Sequence, residues 1–361
     1  MKLKKLYVAA TSQHVGKTTS TLGLVYALRK MGHDVGYCKP VGQEFVDLGN
    51  LKADKDALLF STFMGFQLDA SVHSPVILGQ GATSNFLETP EKFDYAGDIR
   101  HASSILEEDH ETVVYEGTGH PGVGAVVNLS NADVAKALDA KVIMVVKGGI
   151  GNTIDRLQMS LAVFREKKVP VVGVIVNKVR ADKMDKIEYY LSKYLKQIDI
   201  PLLGLIPFDQ TLSNPMMHSI KEAINGTVIM NEDYMDNQVE EIIAGSLVDR
   251  QELKHFKNLL LVVSSNRLEE ALRKVKFFAY RAGVEETPLS GIILTNEMEH
   301  PEWCNEYIKL NKIPLVHTKL DTFGSVVKIS RIEVKINTRT PWKVKRACEL
   351  IEKNVNLDLI C

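Results

Sequence analysis

Short, nearly unbroken apolar runs recur along the chain: "LYVAA" (6–10), "DVGYCK" (34–39), "TVVYE" (112–116), "KVIMVV" (141–146) and "VVGVIVN" (171–177). They are β-branched and do not alternate, the pattern of strands covered on both faces of a sheet. Between them the spacing changes to that of helices. In "TTSTLGLVYALRKMG" the apolar Leu22, Val25, Leu28 and Met31 recur every three residues, and Gly32 supplies a stop. Strand–helix alternation of this kind predicts a parallel α/β sheet with right-handed crossovers. Over 208–235 the pattern turns polar, with Asn-Pro and Asn-Gly breakers, and a domain boundary is expected there. Alternation then resumes: strands at "NLLLVVSS" (258–265), "LSGIILTN" (289–296), "KIPLVHT" (312–318) and "RIEVKIN" (331–337), and helices at "RLEEALRKVKFFAYRAG" (267–283) and "PWKVKRACELIEK" (341–353). The expected division is residues 1–212 and 213–361.

Composition narrows the class. The 361 residues are 45% hydrophobic and 25% charged, as in an ordinary globular protein. A net charge of -1 gives no reason to expect nucleic acid or an anionic membrane as partner. Cys38, Cys304, Cys348 and Cys361 have neither metal nor disulfide spacing, which fits a reducing compartment. The basic start "MKLKK" is followed by only about five apolar residues, too few for a signal peptide, and no run approaches the ~20 needed to span a bilayer. A cytoplasmic protein is expected.

The stretch "VAATSQHVGKTTS" (8–20) carries the chemistry. A strand, a loop ending Gly16-Lys17-Thr18 and a helix form the context of a P-loop, G-x-x-x-x-G-K-[ST], with Thr11 in place of its first glycine. Backbone N–H groups of Ser12, Gln13, His14, Val15, Gly16, Lys17, Thr18 and Thr19 would converge on phosphate at a helix N-terminus, where the dipole favours negative charge. Lys17 supplies a point charge and Thr18 a hydroxyl for Mg²⁺. Glu116 ends a buried strand at the carboxyl edge, where α/β sheets bind ligands.

Four segments in order, "ATSQHVGKTT", "CKPVGQ" (38–43), "DKDALL" (54–59) and "VVYEGTGH" (113–120), resemble the dethiobiotin synthetase family over about 210 residues. "YVAATSQHVGKTT", "KPVGQ", "EGTGHPGVGAVVNLSNADVAKAL" and "VKGGIGNTID" are more similar still to the region preceding the catalytic domain of long phosphotransacetylases, which a DRTGG domain follows. The phosphotransacetylase catalytic domain itself is not expected within these residues. The resemblance implies a P-loop NTPase fold with a mostly parallel sheet, then a smaller α/β DRTGG-like domain. It implies Mg-ATP as ligand, with Thr18, Asp56 and Glu116 on the metal and Lys17 and Lys39 acting on phosphate and substrate. Asn177 matches the family's adenine-contacting asparagine, with Pro207 near the base. Arg180 stands where the aspartate of a guanine-reading N-K-x-D motif would be, which favours ATP over GTP. Gln43, Gly117, Thr118, His120 and Gly151 are candidate substrate contacts. Gln43 replaces a substrate-contacting serine, which argues against the dethiobiotin synthetase substrate, and "EGTGH" replaces E-G-A-G-G, adding Thr118 and His120.

In the second half, Ser265-Asn266-Arg267 and Leu294-Thr295-Asn296-Glu297 stand where the DRTGG pattern has G-D-R and L-T-G-G. The added side chains argue against a small ligand there, and the resemblance to DRTGG domains, related in shape to CBS modules that commonly pair, implies an interaction or dimerisation unit and a homodimer. Two functions follow: an ATPase or ligase-like enzyme phosphorylating a small carboxylate, or an ATP-sensing module acting on a partner such as an acyltransferase. A cobyrinate-type amide ligase is disfavoured, because Cys304 and Cys348 fall in predicted helices without a glutaminase setting.

Overall fold

A computed structural model describes residues 5–47, 52–245, 257–284, 286–296, 301–332 and 334–359. The chain divides into two compact units, Met1–Asp209 with Ile336–Cys361, and Gln210–Lys335.

The first unit is built on a six-stranded sheet of β1 (Lys5–Ala10), β2 (Val35–Cys38), β3 (Thr112–Glu116), β4 (Lys141–Lys147), β5 (Val171–Val179) and β6 (Leu202–Pro207). Its order is β6-β5-β4-β1-β3-β2 and every pairing is parallel. All four residues of β2 and all five of β3 are buried, so the unbroken apolar runs reflect a sheet covered on both faces. Parallel neighbours need crossovers. These contain α1 (Lys17–Lys30), α2 (Lys55–Met64), α3 (Tyr95–Asp109), α4 (Asn131–Ala137), α5 (Gly151–Glu166) and α6 (Met184–Gln197). The register sets Val8 beside Glu116 and Ala10 beside Val145, bringing the loop after β1 to the end of β3.

The second unit has a five-stranded mixed sheet of β7 (Thr227–Met230), β8 (Glu241–Ala244), β9 (Leu259–Ser264), β10 (Leu289–Thr295) and β11 (Leu315–Thr318), ordered β7-β11-β10-β9-β8. Only β7 runs antiparallel, against β11. Its helices are α7 (Met217–Ala223), α8 (Leu268–Arg281), α9 (Glu302–Leu310) and α10 (Thr322–Ser330). The sheet buries two apolar faces, one around Leu261 and Leu294, the other around Val262 and Ile293. The strand expected over 331–337 is not there: Arg331 caps α10, and the described residues after it carry no ladder. The segment straddles the boundary between the two units, which falls between Lys335 and Ile336, so its alternation belongs to a crossing and not to a ladder. At the carboxyl ends of β9 and β10, Ser265 Oγ donates to the Asn296 carbonyl, and Asn296 sits at φ 70°. Glu297 lies outside the described residues.

The last helix, α11 (Pro341–Asn354), belongs to the first unit, not to the second as the expected division had it. It packs along α1: a Cβ on Gly23 would lie 2.2 Å from Ile351 Cγ1, so only glycine allows the approach. Lys30 pairs with Glu352, and Arg346 Nε donates to Asp209 Oδ2 at 2.7 Å. Beyond the helix, Asn356 N donates to the Leu203 carbonyl at 2.8 Å. The reason lies in α1, whose buried positions run from Ser20 to Leu28 almost without interruption. A helix buried round most of its girth needs a second cover besides the sheet.

Lys343 on α11 is fully buried, and burial lowers its ammonium to about 8. The unfolded chain therefore binds a proton that the folded chain releases between about pH 8 and the ordinary lysine value near 10.4, so stability rises with pH across that window. Lys343→Met is expected to stabilise the protein at pH 7 by about 1–3 kcal/mol, with the gap from wild type closing between pH 8 and 10. Thermal melts of both proteins across that range check it; a constant gap contradicts the assignment.

Candidate functional site

The strand ends of the first sheet gather the candidate residues. After β1, Thr11 N donates to the Val145 carbonyl at 3.2 Å and the chain enters the loop. Two residues at the end of β5 hold this loop from behind. Asn177 Nδ2 donates to the Val15 carbonyl at 2.8 Å and Lys178 Nζ to the His14 carbonyl at 2.7 Å. Asn177 Oδ1 accepts the Lys178 N–H at 2.8 Å, so the carbonyl and amino ends of the Asn177 amide both meet backbone. Its place in the fold is that of a loop brace, and a base-reading contact would have to be made beside these bonds. Gly16 caps α1 at φ 99°, in the left-handed region, and a Cβ there would lie 2.1 Å from Asn177 Nδ2. Both constraints demand glycine. Thr11 in place of the first glycine is harmless, since it is absent from the positive-φ positions.

Below the loop lies a buried charged network. Glu116 is fully buried at the end of β3. Its Oε1 accepts the Thr18 hydroxyl at 2.7 Å and the Lys39 ammonium at 3.3 Å, and its Oε2 accepts the Tyr37 hydroxyl at 3.3 Å. Lys39 Nζ also donates to Asp56 Oδ2 at 2.6 Å. Lys17 Nζ donates to the Gly119 carbonyl at 3.3 Å. Burial raises the Glu116 carboxyl above its usual range, with Lys39 opposing. Burial by itself would lower Lys39, but Asp56, Glu116 and Asp54 outweigh it and lift the ammonium well above the ordinary lysine value, so it is charged.

Thus Lys17, Thr18, Lys39, Asp56 and Glu116, which lie in four separate segments of sequence, meet in one place. The other candidates divide. Gly117 is packed against Asn131 and Tyr7, and the Thr118 hydroxyl is spent on the Val41 carbonyl. Gln43, His120 and Gly151 are exposed, with His120 Nδ1 accepting the Gly122 N–H at 3.2 Å. Ser12 and Pro207 are half-buried and Gln13 exposed.

Two residues escaped the sequence reading. Asn131, at the start of α4, uses its whole hydrogen-bonding capacity on this site. Its Oδ1 accepts the Tyr7 hydroxyl at 2.8 Å and Thr118 N–H at 3.0 Å; its Nδ2 donates to the Thr118 and His120 carbonyls at 2.8 and 2.7 Å. The turn that carries Gly119 is thereby fixed. The "SNAD" capping box, Ser130 with Asp133, signals a helix start but not this clamp. Asp54 caps α2 by accepting the Asp56 N–H at 2.8 Å, which sets the first turn that carries Asp56. Burial pushes its carboxyl up to about 6 against the pull of Lys39. The acid two residues ahead of Asp56 was the available signal.

Among the described residues, no group of three or more His, Cys, Asp or Glu gathers as a metal cluster. That donor set still suits Mg²⁺, a hard cation that takes one or two carboxylates, waters and phosphate oxygens. The glycine-dependent cradle at Gly16 and the oxygens of Thr18, Asp56 and Glu116 fit a nucleotide and its cation.

A parallel sheet with a glycine-capped lysine–threonine loop at its edge defines a P-loop NTPase domain. The chain belongs to the AAA domain family AAA_26, matched over residues 4–216, and carries a DRTGG domain over residues 219–332. Over 370 residues it is 24% identical to the phosphate acetyltransferase of Nitrosomonas europaea, covering 98% of this chain and 51% of that protein. The phosphate acetyltransferase of Pseudomonas aeruginosa matches at 24% over 378 residues, with 98% and 51% covered. The ATP-dependent dethiobiotin synthetase BioD of Nitrosopumilus maritimus is 26% identical over 236 residues, covering 60% of this chain and 95% of that protein. The chain spans about half the length of the phosphate acetyltransferases it matches, and what it resembles is their N-terminal region. Among solved structures, the MinD cell division protein of Aquifex aeolicus aligns at TM-score 0.39 and 12% identity, over 58% of this chain and 84% of that one. Among the described residues, no helix is long and apolar enough to cross a membrane.

Proposed function

We propose that the chain binds Mg-ATP at the loop of residues 12–19 and hydrolyses it, or passes its terminal phosphoryl group to a small carboxylate. The observation that carries this reading is the linked set Thr18–Glu116–Lys39–Asp56 beneath a loop that only glycine can form. Thr18, Asp56 and Glu116 would hold the cation, which when bound neutralises phosphate charge. Lys17, at the first position of α1, meets phosphate with a point charge, and the helix N-terminus adds its dipole. Asn131 and the Thr118 hydroxyl keep the neighbouring turn from moving while they do so. Positioning and charge compensation are the main demands of phosphoryl transfer. ATP is favoured over GTP because Arg180 occupies the aspartate position and is itself paired with Asp182 at 2.9 Å.

A second reading is a regulatory module that binds ATP and signals to an acyltransferase. The relatives named phosphate acetyltransferase favour it, as does Thr118, whose hydroxyl is bonded to Val41 and not offered to a substrate. In either reading we take the chain to be a cytoplasmic homodimer, paired through its second unit.

Calorimetric titration of the full chain is expected to give saturable binding of Mg-ATP and at least tenfold weaker binding of Mg-GTP; no heat with Mg-ATP removes the proposal. ADP release with a panel of small carboxylates and amines then separates the two readings. Stimulation by one of them supports the enzyme, and none supports the regulator.

A further inference from the structure

Lys39 is in an unusual position for a residue expected to act on substrate. Its side chain is only 6% exposed, and its ammonium lies between two carboxylates, bonded to Asp56 at 2.6 Å and Glu116 at 3.3 Å. The Glu116 oxygen it meets is the one that accepts the Thr18 hydroxyl. The two carboxylates assigned to a divalent cation are therefore already bridged by one cation of the protein's own, and Thr18 joins them through the shared Glu116 oxygen. The backbone beneath is anchored, with Lys39 N donating to the His73 carbonyl at 2.8 Å and Pro40 following. Any adjustment falls to the four-carbon side chain, whose terminal charge is flexible.

Charge decides what this arrangement does. Two carboxylates beside each other in a buried site repel, and each favours the nearest cation. An ammonium and a divalent ion compete for the same oxygen lone pairs. An ion arriving alone would have to displace an ammonium whose remaining acidic neighbour, Asp54, is engaged in capping α2. An ion arriving with a nucleotide brings phosphate oxygens that can take up the freed ammonium.

We propose that Lys39 is a built-in stand-in for the divalent cation. It holds Asp56 and Glu116 in register, suppresses metal binding by the nucleotide-free protein, and is released toward phosphate when metal and nucleotide enter together. Lys39 is then a positioning residue for the carboxylates before it is a partner of phosphate. The inference rests on the reading of Thr18, Asp56 and Glu116 as metal residues.

The test is Mn²⁺ binding to the full chain, read from the electron paramagnetic resonance signal of free Mn²⁺, with and without ATP. Wild type is expected to take up Mn²⁺ strongly only with ATP. Lys39→Met is expected to bind Mn²⁺ alone at least tenfold more tightly than wild type does. A lysine that merely ties the fold together predicts the opposite, because the carboxylates it ordered would drift apart. Equal or weaker binding of Mn²⁺ alone by a folded Lys39→Met overturns the proposal. Should that variant fail to fold, Lys39→Arg keeps the charge in a more rigid fork that is harder to displace. Its ATP-dependent Mn²⁺ uptake is expected to fall at least tenfold, and unchanged uptake overturns the proposal equally. If wild type takes up no Mn²⁺ even with ATP, the metal assignment itself is wrong and this inference goes with it. If wild type takes it up and Lys39→Met shows no gain, only the stand-in is wrong.

Discussion

Lys17→Ala is expected to weaken Mg-ATP binding by at least about a hundredfold, to the point where calorimetry of the full chain gives no saturable heat. The ammonium leaves the first residue of α1, beside the Gly119 carbonyl and within the field of buried Glu116. One charge-assisted hydrogen bond contributes about 1.5–3 kcal/mol, and a lysine reaching two phosphate oxygens loses more than the ~2.7 kcal/mol that a hundredfold represents. The fold should be indifferent. The packing of α1 comes from Leu22, Leu24, Val25 and Leu28, all buried, whereas Lys17 is half-buried at the helix start. Circular dichroism and the melting temperature are therefore expected to match wild type while affinity disappears. Lys17→Arg should not rescue, since a planar fork does not fit a pocket shaped for a point charge. Unaltered affinity in Lys17→Ala would mean that the loop does not grip a triphosphate.

Much of the sheet was legible in the sequence because strands buried on both faces write themselves as unbroken β-branched runs; β3, with every residue buried, is the plainest case. The loop was legible because lysine and threonine after glycine, between a strand and a helix, meet a local geometric demand. Whatever depends on a partner far along the chain left no such mark. Asn131 is 124 residues from Tyr7, and nothing in the pattern around it tells of that bond. Asn177 was readable as a polar strand end, but its grip on Val15 spans 162 residues. Edge strands fail for another reason. β7 and β8 have four residues each; β7 alternates between exposed and half-buried positions and β8 buries only Ile243, so their hydrophobic signal is too weak to stand out from a loop. The segment 331–337 shows the converse, an alternating pattern that makes no strand because it crosses from one unit to the other at Lys335 and Ile336. The pattern of "PWKVKRACELIEK" marks a helix but not what covers it, and α11 packs in the first unit and not with residues 213–335.

That helix carries the other large expected effect. A chain that stops after Lys335 should lose the cooperative unfolding of its P-loop unit and with it Mg-ATP binding. Without α11, Gly23 leaves a groove along α1 where Ile351 sat, and the edge at Gly204 loses its bridge to Val355. Val344, Leu350 and Ile351 are all buried, and full burial of such side chains stabilises by about 1.5–3 kcal/mol each. Three of them amount to roughly 5–9 kcal/mol, against a total stability of about 5–15 kcal/mol for an ordinary domain. The exposed flank of α1 would remain as a contiguous apolar surface, which favours aggregation over a clean loss of activity. Ile351→Ala in the full chain isolates the packing part and is expected to cost about 2–5 kcal/mol without abolishing nucleotide binding. A truncated chain that melts within about 3 °C of the full one and still titrates with Mg-ATP would show that α1 finds its second cover elsewhere, because at that scale 3 °C is worth only about 1 kcal/mol.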